Sequence, residues 1–149
     1  MIGFLYIVFI FLSDFLSKYW IVQTICYGET LSVSPFFNIV HAKNFGVSFS
    51  LLSNNHELGP WILFALSICI VLFLVLQLKN SETTLQKWAI YSIIGGALGN
   101  AFDRLYYGSV VDFLDLYYQN YHWPAFNIAD CFIVCGVFLY LLTTYKSKN

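Results

Sequence analysis

The residues of this chain best suited to chemistry are its aspartates, which are few and stand near asparagines at a regular spacing. Asn100 and Asp103 are three residues apart, and so are Asn127 and Asp130. Residues at that spacing share a helix face, so each pair is predicted to present an amide and a carboxyl group together. Asp112 stands in an apolar run between a valine and a phenylalanine. Ionisable groups in apolar surroundings are typical of functional sites, in enzymes and in transporters alike.

A second group of polar residues comes from two further predicted helices. Asp14 precedes Lys18 by four residues, which places both on one helix face. A plain ion pair would have the same spacing, so a structural and a functional role both stay open. Arg104 follows the glycine-rich stretch 95–99 and lies one turn after Asn100. Glycines let membrane helices approach closely, and these are predicted to bring the polar residues to a packed interface.

The composition excludes a soluble globular protein. Hydrophobic residues make up 59% of the 149 residues and charged residues only 10%, with a mean hydropathy of +0.70. A soluble domain carries about 25% charged residues to cover its surface. With 7 basic and 8 acidic side chains there is no basic field, so nucleic acid is not an expected partner. The chain is therefore predicted to lie in a lipid membrane.

Four apolar segments are long enough to cross a bilayer as helices, which takes about 20 residues. They are residues 2–22, 60–78, 88–104 and 126–145. A cleaved signal peptide is the alternative for the first segment. It is disfavoured because the chain begins without basic residues and no small-residue cleavage site follows the apolar run.

The two longer connections, an outer cap at 23–59 and an outer connection at 105–125, lie on one side of the predicted membrane. Alternating residues at 31–34 and 37–40 predict two short strands, and Asn44–Gly46 predicts a turn or bulge. The predicted fold class is thus an integral membrane, mainly α protein. It has four transmembrane helices and a small β-containing extracytoplasmic cap.

Basic residues set the orientation of the four spans. Lysines occupy the short link between the second and third spans and the C-terminal end, whereas the opposite side, residues 23–59 and 103–125, holds only Lys43 and Arg104. By the positive-inside rule both termini are cytoplasmic and the longer connections face outward. This topology brings polar residues of separate segments to the outer face, namely Asp14, Asn44, Asn100, Asp103, Arg104, Asp112, Asn127 and Asp130. Asp115 is interpreted as a solvated surface acid.

These residues, in this order, resemble the motifs of lipoprotein signal peptidase (signal peptidase II), the membrane aspartic peptidase family of bacteria. The resemblance extends over nearly the whole chain. Its motifs are Asp14-x-x-Ser17-Lys18, Asn44-x-Gly46-x-x-Phe49, Gly95-Gly-Ala-x-Gly-Asn-x-x-Asp-Arg104, Val110-Val-Asp-Phe113 and Phe126-Asn-Ile-Ala-Asp130. It implies a single peptidase domain over 1–149. The chain would cross the bacterial cytoplasmic (inner) membrane several times, with its active site at the outer face.

The resemblance also implies a reaction and roles for individual residues. Asp112 and Asp130 would form a catalytic dyad that activates water and removes the signal peptide from a diacylglyceryl-modified prolipoprotein, just before the lipidated lipobox cysteine. Supporting or substrate-binding positions fall on Asp14, Lys18, Asn44, Gly46, Asn100, Asp103, Arg104 and Asn127. No cofactor or metal is expected. The implied partners are the prolipoprotein, membrane lipid and the cyclic peptide antibiotics that block this family.

The same residues also fit four other classes of protein less well. A transporter or proton relay would place acids through the full membrane depth, but the inner halves of the spans carry none. A scaffolding bundle explains the glycines but not two Asn-x-x-Asp pairs at one face. A serine–lysine peptidase would use Lys18 with Ser17 or Ser48, although Ser17 and Lys18 point about 100° apart on a helix. A metallopeptidase would need ligand spacing that the three histidines lack.

Overall fold

The computed structural model describes residues 1–46 and 58–147, with side chains up to residue 145. Within these residues the chain forms four long helices and one small antiparallel sheet of four strands in the order β1-β2-β3-β4. The helices are α1 (Ile2–Thr24), α2 (Leu58–Gln77), α3 (Thr84–Tyr107) and α4 (Ile128–Ser147). The strands are β1 (Thr30–Ser34), β2 (Phe37–Asn44), β3 (Val110–Tyr118) and β4 (Tyr121–His122).

Three of the described helices are long and apolar enough to cross a membrane: Ile2–Thr24, Leu58–Asn80 and Ile128–Tyr145. The third predicted span, 88–104, lies within α3, which is not among them because its apolar residues alternate with glycine and polar residues. The predicted number of four spans is therefore not confirmed. α3 is instead the most buried helix of the described chain and packs against α1, α2 and α4. A helix shielded by its neighbours does not need a lipophilic surface all round.

Local signals in the sequence define both ends of α3. At its start Thr83 accepts a hydrogen bond from the backbone N–H of Gln86, whose side chain bonds back to the Thr83 N–H, which is a capping box. At its end Gly108 adopts a left-handed conformation with φ +67°, which a side chain would disfavour. The chain then turns directly into β3, so the last turn of α3 and the first residues of β3 lie side by side.

The glycines of α3 hold neighbouring helices at short range, as predicted. A Cβ atom on Gly96 would collide with the Ala129 carbonyl oxygen of α4, and one on Gly99 would lie 2.5 Å from Asp14 Oδ2 of α1. Backbone atoms cannot move aside as a flexible side chain can. Small residues at these positions therefore allow the polar side chains of three helices to meet.

The predicted sheet-like cap is confirmed, but it has a strand that the sequence pattern did not reveal. β1 and β2 contain the segments predicted as strands, and β2 continues to Asn44, whereas 110–118 was assigned to the outer connection without a strand. β3 pairs antiparallel with β2, with Ala42 opposite Asp112 and a register shift between Ile39 and Ala42. Its first residues are buried on both faces, so the period-two alternation of an exposed strand is missing.

Packing of β3 against α1 determines which way Asp112 faces. Val111 and Phe113 form a buried cluster with Ile21 and Ile25 from the end of α1. Since successive side chains of a strand point to opposite faces, Asp112 projects away from this cluster. Hydrophobic burial on one face of β3 thus directs the carboxyl group to the other face.

The predicted turn after β2 is present. The Asn44 side-chain oxygen accepts a hydrogen bond from the Gly46 N–H at 2.9 Å, and Gly46 has φ +73°. An asparagine bonded two residues ahead, followed by a left-handed glycine, is a common turn chemistry. Residues 47–57, which include Ser48 and Phe49 of the sequence analysis, lie outside the described residues.

Candidate active site

A buried cluster of three charged side chains forms the base of the site. The Lys18 ammonium contacts Asp14 Oδ2 at 2.7 Å and Asp103 Oδ2 at 3.0 Å. Lys18 is only 1% exposed, and both carboxyl groups are equally buried. The Asp14–Lys18 pair is thus part of a larger cluster that joins α1 to α3. Two carboxylates around one ammonium lower the cost of burying each charge.

The same two aspartates bind backbone groups of two further elements. Asp14 Oδ1 accepts a hydrogen bond from the Ala129 N–H at 2.8 Å, in the first turn of α4. Asp103 Oδ2 accepts one from the Val111 N–H at 3.0 Å, at the start of β3. The first N–H groups of a helix have no partner within the helix, so Asp14 satisfies one of them. The charged cluster therefore holds α1, α3, α4 and β3 together at one point.

Asn127 and Asp130 form the N-terminal cap of α4. The Asn127 side-chain oxygen accepts a hydrogen bond from the Asp130 N–H at 2.9 Å, and Asp130 Oδ2 accepts one from the Asn127 N–H at 3.3 Å. The prediction that both lie on one helix face is wrong, because α4 begins at Ile128 and Asn127 precedes it. The spacing of three residues is that of a reciprocal cap.

Two asparagine amides link the cap to the rest of the site. Asn127 Nδ2 donates to Asp112 Oδ1 at 2.7 Å, and Asn100 Nδ2 donates to Asp130 Oδ1 at 2.7 Å. The two amides also bond each other, from Asn127 Nδ2 to Asn100 Oδ1 at 3.2 Å. Asp112 and Asp130 are thereby connected through a continuous row of hydrogen bonds, although they come from a strand and a helix.

Asp112 is the acid whose protonation the site alters most clearly. It is 3% exposed, and burial followed by the nearby Asp130 charge raises the pKa of Asp112 from 3.8 to about 6. Hydrogen bonds from Asn44 and Asn127 act in the opposite direction but do not outweigh burial. Asp112 therefore retains its proton in mildly acidic solution, where an ordinary aspartate has lost it.

This raised pKa predicts a stability effect that is separate from activity. Burial disfavours ionised Asp112 in the folded protein but not in the unfolded chain. The folded protein is therefore most stable, with respect to this group, below pH 3.8, where Asp112 is protonated, and that stability is lost as the pH rises through about 6. Asp112→Asn, which cannot ionise, is expected to stabilise the protein by up to about 3 kcal/mol at neutral pH. Thermal unfolding in detergent at several pH values measures this. A variant less stable than the parent at neutral pH contradicts the burial argument.

Arg104 lies beside the row of hydrogen bonds and lines a cavity. Its guanidinium donates to the Asn100 backbone oxygen at 3.1 Å. The charges of Asp130, Asp103 and Asp112 all act on it, and Asp130 acts most strongly. Asp103, the neighbour of Arg104 in sequence, contacts Lys18 in the described residues. The cavity has a volume of about 640 Å³, and aromatic side chains of α2, α3 and the Asn44–Gly46 turn contribute to its lining.

Asp115 differs from its interpretation as a solvated surface acid. It is buried, accepts a hydrogen bond from Asn38 Nδ2 at 2.8 Å and contacts His122 Nδ1 at 2.9 Å. These contacts join β2, β3 and β4. Because β3 was not recognised as a strand, its pairing with Asn38 had no counterpart in the sequence pattern. Among the described residues, Asp115 braces the sheet through Asn38 and His122 and stands apart from the Asp112–Asp130 row of hydrogen bonds.

The alternative nucleophile that lies within the described residues is turned away from the lysine. The Ser17 hydroxyl donates to the Asp14 backbone oxygen at 2.7 Å, while Lys18 contacts carboxylates. In the described parts 1–46 and 58–147, no group of three or more histidine, cysteine, aspartate or glutamate residues is arranged to hold a metal ion. The groups available for chemistry at this point are therefore carboxyl groups and amides.

A family model described as Signal peptidase (SPase) II matches residues 6–146. The chain belongs to the signal peptidase II family. It is accordingly a protease, and several apolar helices agree with a membrane enzyme. The Asp112 and Asp130 side chains, which the family motifs singled out in the sequence, are the two carboxyl groups that the asparagine row connects.

Individual relatives of this signal peptidase II support the assignment over most of its length. Lipoprotein signal peptidase of Pseudoalteromonas atlantica is 41% identical over 95% of this chain and 88% of its own. That of Ralstonia nicotianae is 46% identical over 88% of this chain and 76% of its own. A bacterial membrane enzyme solved by the in meso method at 2.3 Å matches 99% of this chain and 89% of its own, with 33% identity and a TM-score of 0.86.

Proposed function

We propose that this signal peptidase II is an aspartic endopeptidase that removes the signal peptide from diacylglyceryl-modified prolipoproteins, just before the lipidated cysteine. The observation that carries the proposal is the joining of two carboxyl groups, the buried Asp112 and the half-buried Asp130, by donor amides at the end of a helical bundle. Neighbouring carboxyl groups cannot both ionise easily, so they share a proton. The raised pKa of Asp112, about 6, agrees with such coupling.

The proposed reaction needs one ionised and one protonated carboxyl group. The ionised partner takes a proton from water, whose oxygen attacks the carbon of the scissile carbonyl. The protonated partner donates its proton to the carbonyl oxygen, giving a neutral tetrahedral intermediate. The first carboxyl group then gives the proton taken from water to the amide nitrogen, while the second, now ionised, removes a proton from a hydroxyl group of the intermediate. The C–N bond breaks, the new C-terminal carboxyl group forms, and the carboxyl pair regains its starting state. No charged intermediate forms on the peptide, which suits the low dielectric of the membrane edge.

The remaining polar residues support or complete this site in the proposal. Asp14, Lys18 and Asp103 hold the four elements in register, and Asn100 and Asn127 orient the acids. Arg104, which lines the cavity, would contact the substrate together with the Asn44–Gly46 turn. The cyclic peptide antibiotics that block this family would compete with the prolipoprotein for the same cavity.

The proposed topology has four membrane spans, namely the three candidate spans and α3. Its 24 residues give a length of about 36 Å, enough for a hydrocarbon core of about 30 Å. α1 and α3 end, and α4 begins, next to the sheet, so the polar residues gather at one end of the bundle. The lysine distribution supports an orientation in the inner membrane with that end outside and both termini in the cytoplasm. There the substrate acyl chains stay in the leaflet while the peptide bond meets water.

The substrate proposal is tested by cleavage of one prolipoprotein with and without its diacylglyceryl group. The purified protein in lipid is expected to cleave the lipidated form at least roughly 100-fold faster, because binding energy of the acyl chains is used at the scissile bond. Equal cleavage of both forms would contradict the lipid requirement. The double variant Ser17→Ala/Ser48→Ala should remain active, and its inactivity would favour serine chemistry instead.

A further inference from the structure

The Asn100 amide can take only one orientation in this site. A side-chain amide has a donor end and an acceptor end. Asn100 Oδ1 lies 2.9 Å from Lys18 Nζ, and an ammonium group can only donate. The oxygen must therefore face Lys18, and the NH₂ group must face Asp130 Oδ1 at 2.7 Å. Lys18 itself is held by Asp14 and Asp103, so this orientation is imposed by the charged cluster.

The donors around Asp130 match an ionised carboxylate. Oδ1 receives the Asn100 amide, and Oδ2 receives the backbone N–H of Asn127. Asp130 also lies in the first turn of α4, where the helix dipole favours a negative charge. A donor on each oxygen stabilises the ionised form of Asp130 more than its protonated form.

Asp112 has no comparable helix terminus. It lies on β3, buried at 3% exposure, with the Asp130 charge nearby. The charged groups around the two acids are Lys18 and Asp14 on α1, Asp103 and Arg104 on α3, and the acids themselves on β3 and α4. Burial next to an existing negative charge favours the neutral form.

We propose that Asn100, oriented by Lys18, is a positioning residue that makes Asp130 the ionised, water-activating partner and leaves the shared proton on Asp112. This inference rests on the proposed dyad. Asp130 then accepts the proton of the attacking water, and Asp112 donates its proton to the carbonyl oxygen of the substrate. The charged cluster thus sets the direction of proton transfer as well as holding the helices.

The test is the pH profile of kcat/KM for Asn100→Ala, which removes a donor to Asp130 but leaves Lys18 its two carboxylates. Loss of a hydrogen bond to a charged group is expected to shift the acid limb, where activity falls as Asp130 is protonated, by about one to two units toward higher pH. The alkaline limb, where activity falls as Asp112 is ionised, should not move. Asn44→Ala is the matched variant, because Asn44 stabilises ionised Asp112. It should move the alkaline limb upward and leave the acid limb in place.

The assignment would be overturned if Asn100→Ala shifted the alkaline limb and Asn44→Ala the acid limb, or if Asn100→Ala shifted neither. Should Asn100→Ala fail to fold, the infrared carboxylic-acid band measured between the two limbs gives a second test. The part of that band due to the dyad should vanish in Asp112→Asn. Its persistence there would place the proton on Asp130. Failure of the dyad itself has a different signature, namely cleavage by Asp112→Asn or Asp130→Asn.

Discussion

Asp112→Asn and Asp130→Asn are each expected to lower cleavage of a lipidated prolipoprotein by roughly 10³-fold or more. Removal of one carboxyl group eliminates either the base for water or the proton donor for the carbonyl, and general acid–base steps contribute about 10²–10⁴-fold each. Both changes preserve size and one side-chain oxygen, so the Asn127 bond to Asp112 and the cap of α4 have acceptors left. The measurement is the single-turnover rate with purified protein in lipid.

Asp115→Asn is the matched control for this pair. Asp115 lies three residues after Asp112 on the same strand and is also buried, but its partners are Asn38 and His122. Its substitution should leave the cleavage rate within about tenfold of the parent, since no acid–base step passes through it. All variants should accumulate in the membrane to similar levels. An active Asp112→Asn or Asp130→Asn variant would show that the dyad is assigned wrongly.

Lys18→Met is expected to produce the largest loss of stability. The change leaves Asp14 and Asp103 as buried acids without their cation, and breaking a buried ion cluster in this way costs about 3–5 kcal/mol. Their bonds to Ala129 and Val111 join α4 and β3 to the bundle, so the damage should spread beyond α1. Thermal unfolding in detergent and the amount of folded protein in the membrane both measure this effect.

The triple variant Lys18→Met/Asp14→Asn/Asp103→Asn separates stability from orientation. With all three charges removed, the penalty of uncompensated burial disappears and much of the stability should return. The Asn100 amide would then be free to rotate, so the acid limb of the pH profile should remain shifted upward. A Lys18→Met protein as stable as the parent would show that the cluster does not hold the elements together.

The membrane character, the apolar helices and one turn of this protein follow from its composition and from short-range sequence patterns. A chain with 59% hydrophobic and 10% charged residues has too little polar surface for water, so its membrane character needs no tertiary information. Long apolar runs and the turn at Asn44–Gly46 are local features, and the structure contains them. The glycines of α3 also predicted a close helix interface, because few other roles suit glycine within a helix.

Tertiary structure decided how the polar residues are paired. Asp14 bonds the N–H of Ala129, 115 residues further on, and Lys18 contacts Asn100, 82 residues away. Spacing along one helix suggested an isolated Asp14–Lys18 pair and gave no hint that Asp103 completes it. β3 was missed for the same reason, since it is buried on both faces and its identity depends on pairing with β2. The burial of Asp115 was not predicted, because its strand β3 was not recognised.

The chemically reactive residues were therefore identifiable from sequence, but their division of labour was not. Residue type, spacing and family motifs singled out Asp112 and Asp130 and the amides around them. Only the folded arrangement shows that a lysine from α1 orients an amide of α3 toward an acid of α4. The physical reason is that hydrogen-bond direction depends on which groups meet in space, and donors and acceptors from three helices meet here only after folding.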